Sequence, residues 1–260
     1  MRLLAVGDVC GPVGCERIKQ SLPVLKREKK IDVAVVNGEN SADYNGILPE
    51  SADLLFACGA DVITGGNHSL RRKQICNYLD ENKFILRPQN LSDTEYGCGY
   101  CLLDMGYTSV AVINLIGRIY LEKLNSDSPF DAADRLIDRA KKDGARVIAV
   151  DFHAEATSEK RALGIYLDGR VSAFFGTHTH VATADAQILP CGTGYITDLG
   201  MTGPVNSVLG VKSEIIINRL KNNDMSKFEF AGGESFLSGC IFDIDLKTGK
   251  TVAVEPVCIK

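Results

Sequence analysis

The four histidines of this 260-residue chain lie in three short polar motifs, and two further polar motifs precede them. The five motifs read Gly7-Asp8, Asn37-Gly38-Glu39-Asn40, Gly66-Asn67-His68, Asp151-Phe152-His153 and Gly176-Thr177-His178-Thr179-His180. Their imidazole, carboxylate and amide donors suit iron, manganese or zinc rather than a thiolate site. The set is large enough for two adjacent ions. A pair of ions ~3.5–4 Å apart promotes in-line attack on phosphorus.

An alternating series of strands and helices must position these motifs. Apolar and β-branched runs predict strands, and apolar residues at helical spacing predict the helices between them. The predicted helices cover residues 15–27, 49–58, 71–79, 132–142 and 158–167, and the predicted strands cover 3–6, 31–36, 61–64, 110–115, 147–150 and 171–175. After residue 186, strands at 187–189, 194–197, 239–243 and 252–257, with a turn at 247–250, form an antiparallel tail. The whole pattern predicts one α/β domain over residues 1–260.

Each polar motif follows the carboxyl end of a predicted strand. In open α/β sheets these ends meet along one edge, where ligands bind. Asp8, Glu39 and His68 are spaced by about thirty residues, the length of a βαβ unit. His178 and His180 would point to opposite faces of a regular strand, so we expect them in a loop that reaches two adjacent ions. Distant segments are therefore predicted to form one site.

Composition narrows the class of protein. The net charge of −4 gives no polybasic surface, so bulk binding to nucleic acid or to an anionic membrane is not expected. No apolar run approaches the ~18 residues that a membrane span needs. The first apolar run is shorter than a signal-peptide core, which favours a first strand and a cytoplasmic protein. Nine cysteines, an odd number, predict reduced thiols, with Cys98-Gly99-Tyr100-Cys101 as two thiols flanking a turn.

At the polar motifs the sequence resembles the calcineurin-like metallophosphoesterases, and within them the YmdB-like family of bacterial cyclic-nucleotide phosphodiesterases. The likeness covers essentially the whole chain. Besides the five motifs it includes Arg87-Pro88, Ile113-Asn114-Leu115, the stretch from His153-Ala154-Glu155-Ala156-Thr157 to Lys160, and Met201-Thr202-Gly203-Pro204. These motifs in this order are specific in combination, although each alone is weak.

The resemblance implies a four-layer α/β/β/α sandwich with a dinuclear centre. It implies that Glu39 bridges two ions, one held by Asp8, Asn40 and His180, and the other by Asn67, His153 and His178. A metal-bridging hydroxide would attack the phosphorus of a 2′,3′- or 3′,5′-cyclic nucleotide. His68 would be the general acid that protonates the leaving alkoxide, because a histidine pKa lies near neutral pH. Iron or manganese is expected, zinc is an alternative, and the resemblance also implies a homo-oligomer.

Several residues keep two interpretations. The wider superfamily has a histidine at the position of Cys10. Either Asn40 replaces that histidine as a ligand and the thiol binds no metal, or the Cys10 thiolate is itself a metal ligand. Arg118 could bind a phosphate oxygen or pair with a surface carboxylate. Glu155 and Lys160 are expected to open or decorate the helix after His153 rather than to act chemically.

Two other functions fit the same residues. One is a phosphomonoesterase or protein phosphatase that uses the same metals. The other is a regulatory protein that senses a nucleotide or metal and turns over little. The presence of a complete ligand set together with His68 favours an enzyme, because a pure binding protein does not require a proton donor.

Overall fold

The computed structural model describes residues 1–43, 45–92 and 95–260, which form two β-sheets and flanking helices. The strands are β1 (Arg2–Val6), β2 (Asp8–Val9), β3 (Val33–Asn37), β4 (Val62–Thr64), β5 (Tyr100–Asp104), β6 (Ser109–Ile116), β7 (Val147–His153), β8 (Ala173–Thr177), β9 (Gln187–Ile188), β10 (Gly194–Ile196), β11 (Met201–Pro204), β12 (Ser235–Asp245) and β13 (Lys250–Ile259). The helices are α1 (Gly11–Glu28), α2 (Pro49–Ala57), α3 (Ile75–Glu81), α4 (Pro129–Lys142), α5 (Thr157–Tyr166) and α6 (Ser213–Asn222). The first sheet has the order β2-β11-β12-β1-β3-β4, with β13 also on β12, and the second has the order β5-β6-β7-β8-β10-β9.

Alternate residues of the central strands face different cores. In β1, Leu4 and Val6 pack with α1, α2 and α3, whereas Leu3 and Ala5 pack against the second sheet. A third core lies on the far side of the second sheet, under α4 and α5. Successive side chains of a strand point to opposite faces, so strands buried on both faces need a layer on each side. The layers are therefore helix, sheet, sheet, helix, and the predicted four-layer α/β/β/α fold is confirmed.

The antiparallel pairing predicted after residue 186 is confirmed between β9 and β10 and in the β12–β13 hairpin, but these strands are built into the two sheets rather than forming a tail. β12 runs antiparallel to β1, with Leu4 opposite Ile241 and Val6 opposite Gly239. β13 pairs with the other edge of β12, across a turn at residues 246–249, and β10 joins the second sheet parallel to β8. The hydrophobic pattern of a strand shows which faces are buried, but it does not show which strand lies beside it.

Most predicted elements are present with shifted ends. α1 begins at Gly11 rather than at residue 15, because Pro12 is tolerated in the first helical turn, where its missing N–H is not needed. α3 begins at Ile75, later than predicted. β7 continues through His153, so this histidine is the last residue of the strand and not a residue beyond it. The sequence patterns did not predict β5, β11 or α6.

All nine cysteines are free thiols, as predicted. Cys98 and Cys101 flank a bend at Gly99, and Cys101 is buried within β5, which begins at Tyr100. Within residues 1–43, 45–92 and 95–260, no helix combines the length and apolar character that crossing a membrane would require.

Candidate metal centre

The predicted donors meet where the carboxyl ends of strands from both sheets face each other. Asp8 lies just after β1, Glu39 follows β3, and Asn67 follows β4 in the first sheet. From the second sheet, His153 ends β7 and His178 follows β8. The sequence predicted one sheet edge, whereas the site lies between the edges of two sheets. Every residue predicted to be a metal ligand is nevertheless at this place.

Four of the donors form a tight group, here called the His153 cluster: Glu39, Asn67, His153 and His178. Nε2 of His153 lies 2.9 Å from Oδ1 of Asn67, 3.0 Å from Nδ1 of His178 and 3.2 Å from Oε1 of Glu39. Ligands about 2.0–2.2 Å from one ion, at angles between a right angle and the tetrahedral angle, are roughly 2.8–3.6 Å apart. The spacing of this cluster therefore fits one metal ion.

The remaining donors form a looser group, here called the Asp8 cluster: Asp8, Asn40 and His180. Nε2 of His180 lies 3.6 Å from Oδ1 of Asp8 and 3.3 Å from the amide nitrogen of Asn40. Oδ1 of Asp8 is buried and accepts no hydrogen bond from any described residue. A buried carboxylate oxygen without a donor is costly unless a positive charge lies near it. This oxygen therefore fits a cation.

The orientation of the Asn40 amide matters for that second group. Its Oδ1 faces Nδ1 of His68 at 2.9 Å, and its Nδ2 lies 3.1 Å from Oε1 of Glu39. An amide nitrogen cannot ligate a metal, so ligation by Asn40 requires rotation of the amide by half a turn. The two ends of an amide have nearly the same shape, so this rotation needs little space.

His68 lies beside both clusters without belonging to either. Its backbone N–H donates to Oε2 of Glu39 at 2.9 Å, and its Nδ1 lies 3.4 Å from Oε1 of the same carboxylate. About a quarter of its side chain is exposed, unlike the buried Glu39. The imidazole is therefore placed between the donors and solvent, where a substrate would enter.

A buried network behind His153 fixes its ring. Nδ1 of His153 lies 2.9 Å from Oγ1 of Thr177, and that hydroxyl donates to Oδ1 of Asp151 at 2.7 Å. The other oxygen of Asp151 accepts from Thr64 at 2.5 Å and from Asn37 at 3.2 Å. Because the Thr177 hydroxyl gives its proton to Asp151, it accepts from Nδ1 of His153. This leaves the Nε2 lone pair free to bind a metal.

Two predictions made for the helix after His153 are wrong. Lys160 does not decorate a surface, because it is fully buried and its Nζ donates to Oδ2 of Asp198 at 2.5 Å. The Asp198 carboxylate also accepts the backbone N–H of Thr179 and of Gly200. Glu155 does not open the helix, because its Oε2 lies 3.0 Å from Nε2 of His178. Both side chains therefore act on the histidine loop.

That loop needs such support because of its backbone. His178 has φ of 102° and His180 has φ of 64°, both in the left-handed region. Residues other than glycine persist there only when the surrounding structure holds them. The glycines are also needed close to the donors, since a Cβ on Gly66 would lie 2.2 Å from Nε2 of His153 and 2.3 Å from Oε2 of Glu39.

Glu39 and the histidines around it shift the pKa values of one another. Burial alone would raise the pKa of Glu39, but the charges of His153 and His68 outweigh it, so the pKa lies well below its usual value. Burial alone would lower the pKa of His153, but Glu39 raises it. Burial and the neighbouring His153 lower the pKa of His178 to about 3, so its imidazole is neutral. Metal binding requires neutral imidazoles and ionised carboxylates, so Glu39 and His178 are already in the required state, whereas His153, whose pKa Glu39 raises, would release a proton when a metal binds.

The structure also locates the two ambiguous residues. Sγ of Cys10 is buried, 3.6 Å from Nδ1 of His180, on the ring nitrogen that does not face Asp8. The Arg118 guanidinium is exposed, and no carboxylate of the described residues forms an ion pair with it. Its backbone N–H donates to Glu159 instead, at 2.9 Å. The surface ion pair considered for Arg118 is thus not present in the described part of the chain.

Sequence reasoning missed Asp151, Thr177, Asp198 and the role of Lys160. Thr177 directly precedes His178, and Asp151 stands two residues before His153, so their position in the motifs was the available signal. Asp198 carried no such signal, because it stands in no polar motif.

Comparison with known proteins identifies the family of the chain. The profile of the family described as "YmdB-like protein" matches residues 4–257. The chain belongs to this family. A 2′,3′-cyclic-nucleotide 2′-phosphodiesterase of Bacillus subtilis is 46% identical over 259 residues, covering 100% of this chain and 97% of its own.

Solved structures extend the comparison to the fold. The crystal structure of a novel phosphatase of Mycoplasma pneumoniae superposes with a TM-score of 0.93 at 33% identity, over 100% of this chain and 93% of that one. A 5′-nucleotidase precursor of Thermus thermophilus superposes with a TM-score of 0.60 at 13% identity, over 100% of this chain and 54% of that one. The second likeness concerns the fold alone.

Proposed function

We propose that the protein is a dinuclear-metal phosphodiesterase that hydrolyses cyclic nucleotides. The observation that carries the proposal is the approach of three different donors to Nε2 of His153 within 3.2 Å, beside a second group with an unsatisfied Asp8 oxygen. The name of the Bacillus subtilis relative favours 2′,3′-cyclic over 3′,5′-cyclic substrates.

The two clusters divide the ligands between two ions. We assign Asn67, His153 and His178 to one ion, Asp8, Asn40 and His180 to the other, and Glu39 to both. When bound, the ions would supply an activated water as the nucleophile and would neutralise the phosphate oxygens. Donors of nitrogen and oxygen without thiolate suit iron or manganese, with zinc as an alternative. Cys10 lies at Nδ1 of His180, the ring nitrogen that does not face Asp8. We therefore assign Cys10 a contact that orients this ring rather than a role as a metal ligand.

His68 is proposed to protonate the leaving alkoxide. Its Nδ1 faces Asn40 and Glu39, so the proton would pass to the alkoxide from Nε2 of the imidazolium, which would be left as a neutral ring. The backbone N–H of Gly117 donates to the carbonyl of His153 at 2.9 Å, so the neighbouring Arg118 lies close to the metal centre, and it is proposed to bind a phosphate oxygen of the substrate.

One preparation tests the proposal. Purified protein is expected to hold about two ions per chain and to hydrolyse 2′,3′-cyclic AMP, and chelation should abolish turnover until manganese or iron is restored. His68→Ala is expected to lower kcat by about 10²–10⁴-fold with unchanged metal content. Failure of the reloaded wild-type protein to hydrolyse any cyclic nucleotide would mean that the protein is not this enzyme, and retained nucleotide binding would favour the regulatory alternative.

A phosphomonoesterase on the same centre is the second candidate, favoured by the description of the Mycoplasma pneumoniae relative as a phosphatase. The ratio of kcat/KM on 3′-AMP to kcat/KM on 2′,3′-cyclic AMP distinguishes the two. A ratio below one is expected for a phosphodiesterase.

A further inference from the structure

A cavity of about 220 Å³ lies directly beside the metal centre. Gly66 and Asn67 of the metal-site loop form one side, and Leu70, Leu91, Lys123 and Leu124 form much of the rest. A second cavity of about 770 Å³ shares Lys123 and Leu124 with it and extends toward Arg118. Sites for small organic ligands have volumes on the order of 300–1,000 Å³, so the near cavity suits one part of a substrate.

The segment that separates the two cavities is fixed at both ends. At its beginning, the buried carboxylate of Glu159 accepts the backbone N–H groups of Arg118 and Ile119 at 2.9 and 3.3 Å. The buried Asn90 joins its two ends, because Nδ2 donates to the carbonyl of Ile116, just before the segment, at 2.8 Å and to that of Asp127, its last residue, at 3.0 Å. These contacts hold residues 117–127 as a preformed wall. Preformed walls are typical of small-molecule sites.

The lining of the near cavity combines two kinds of contact. Leu70, Leu91 and Leu124 are each half-buried, so they offer apolar surface to a ligand. Lys123 is exposed, and no described carboxylate forms an ion pair with it. Apolar side chains and one cationic donor match a flat aromatic ring that carries hydrogen-bond acceptors along its edge.

We propose that this cavity binds the base of the nucleotide, with Leu124 against the face of the ring and Lys123 donating to an acceptor at its edge. The inference rests on the proposed function, because it places the base of that substrate next to the Asn67 side of the metal centre. It also assigns to residues 117–127 the role of determining which phosphodiesters are hydrolysed.

Two substrates that differ only in the base test the inference. They are 2′,3′-cyclic AMP and ribose 2′,3′-cyclic phosphate, which lacks the base. The ratio of their kcat/KM values is measured for the metal-loaded wild type, Lys123→Ala and Leu124→Asn, with Lys141→Ala as the control. Lys141 is an exposed lysine near the end of α4 and lines neither cavity.

The ratio is expected to fall about tenfold in Lys123→Ala and in Leu124→Asn, mainly through KM for the nucleotide, and to stay constant in Lys141→Ala. An unchanged ratio in both cavity variants overturns the inference. An equal loss on both substrates in Lys123→Ala also overturns it, because Lys123 would then contact the phosphate.

If the wild type hydrolyses neither substrate, the proposed function fails, and titration calorimetry with adenosine decides the cavity separately. About tenfold weaker adenosine binding in both cavity variants supports the inference. Equal binding, or the absence of binding to the wild type, overturns it.

Discussion

The His153 cluster and the Asp8 cluster contain similar donors but are held in different ways. His153 ends a strand of the second sheet, and the buried chain of Thr177 and Asp151 fixes its ring. His180 follows that sheet in a loop with left-handed backbone, and its Nδ1 faces the carbonyl of Leu209 at 3.1 Å. The donors of the His153 cluster lie within 3.2 Å of one nitrogen, whereas those of the Asp8 cluster lie 3.3 and 3.6 Å from His180.

The difference shows how a metal site can be rigid on one side and dependent on loop support on the other. A strand residue inherits its position from backbone pairing on both sides, as His153 does from β6 and β8. A loop residue needs dedicated contacts. Asp198, paired with Lys160, accepts the backbone N–H of Thr179 beside His180, and Glu155 holds His178, the one loop residue among the histidines of the His153 cluster. We therefore expect the ion of the His153 cluster to bind more tightly.

Removal of one histidine from each cluster tests this comparison most strongly. His153→Ala and His180→Ala should each lower kcat/KM by more than about 100-fold, the upper end for loss of an outer partner. Metal analysis after dialysis should find one ion retained in His180→Ala and less than one in His153→Ala. Greater retention in His153→Ala would reverse the comparison.

Replacement of the buried lysine should destabilise the whole protein. Lys160→Met leaves the Asp198 carboxylate buried without its partner, which should lower the free energy of unfolding by about 3–5 kcal/mol. Urea denaturation of the chelated protein measures this. Lys142→Met, on the exposed end of α4, should stay within about 0.5 kcal/mol of wild type. Equal stability of the two variants would mean that Lys160 does not support the histidine loop.

Removal of the Thr177 hydroxyl should lower metal affinity only at the His153 cluster. Thr177→Val breaks the contact between His153 and Asp151, so metal affinity of the His153 cluster should fall about 10–100-fold. Calorimetric titration with manganese measures the two affinities. Thr179→Val is the matched control in the same motif, because among the described residues the Thr179 hydroxyl contacts only the backbone of Val181, donating to its carbonyl at 3.5 Å and accepting its N–H at 3.4 Å. A comparable loss in the control would mean that the whole loop moved.

The smallest effect is expected at Glu155. Its side chain is about half exposed, at 49%, and an exposed ion pair contributes about 0.2–1 kcal/mol. Glu155→Gln keeps an acceptor near Nε2 of His178, so kcat/KM should change by less than about fivefold. Steady-state kinetics on 2′,3′-cyclic AMP measure this change in kcat/KM. A loss of 100-fold would place Glu155 among the residues that fix the metal, on a level with Thr177.

The alternation of elements in the first half of the chain was predictable because each element there is local. The run at residues 31–36 has β-branched residues and forms β3, and the helical spacing of residues 132–142 forms the centre of α4. β12 was predicted at half its length, and its place beside β1 was not predicted, because pairing between the two ends of the chain leaves no local pattern. The start of α1 was missed because glycine and proline are acceptable in a first turn, whereas α3 begins four residues later than predicted because turns and bends occupy residues 67–74.

The sequence by itself determined which donors are available and that they stand at strand ends, because residue type and periodicity are local properties. Only the tertiary structure decided the distances between them. It brought the edges of two sheets together, set Glu39 between His153 and His68, and left Oδ1 of Asp8 without a hydrogen-bond donor. It also joined Lys160 to Asp198 behind the histidine loop. Distances between segments depend on sheet packing and on buried polar partners, and neither is written in the spacing of one motif.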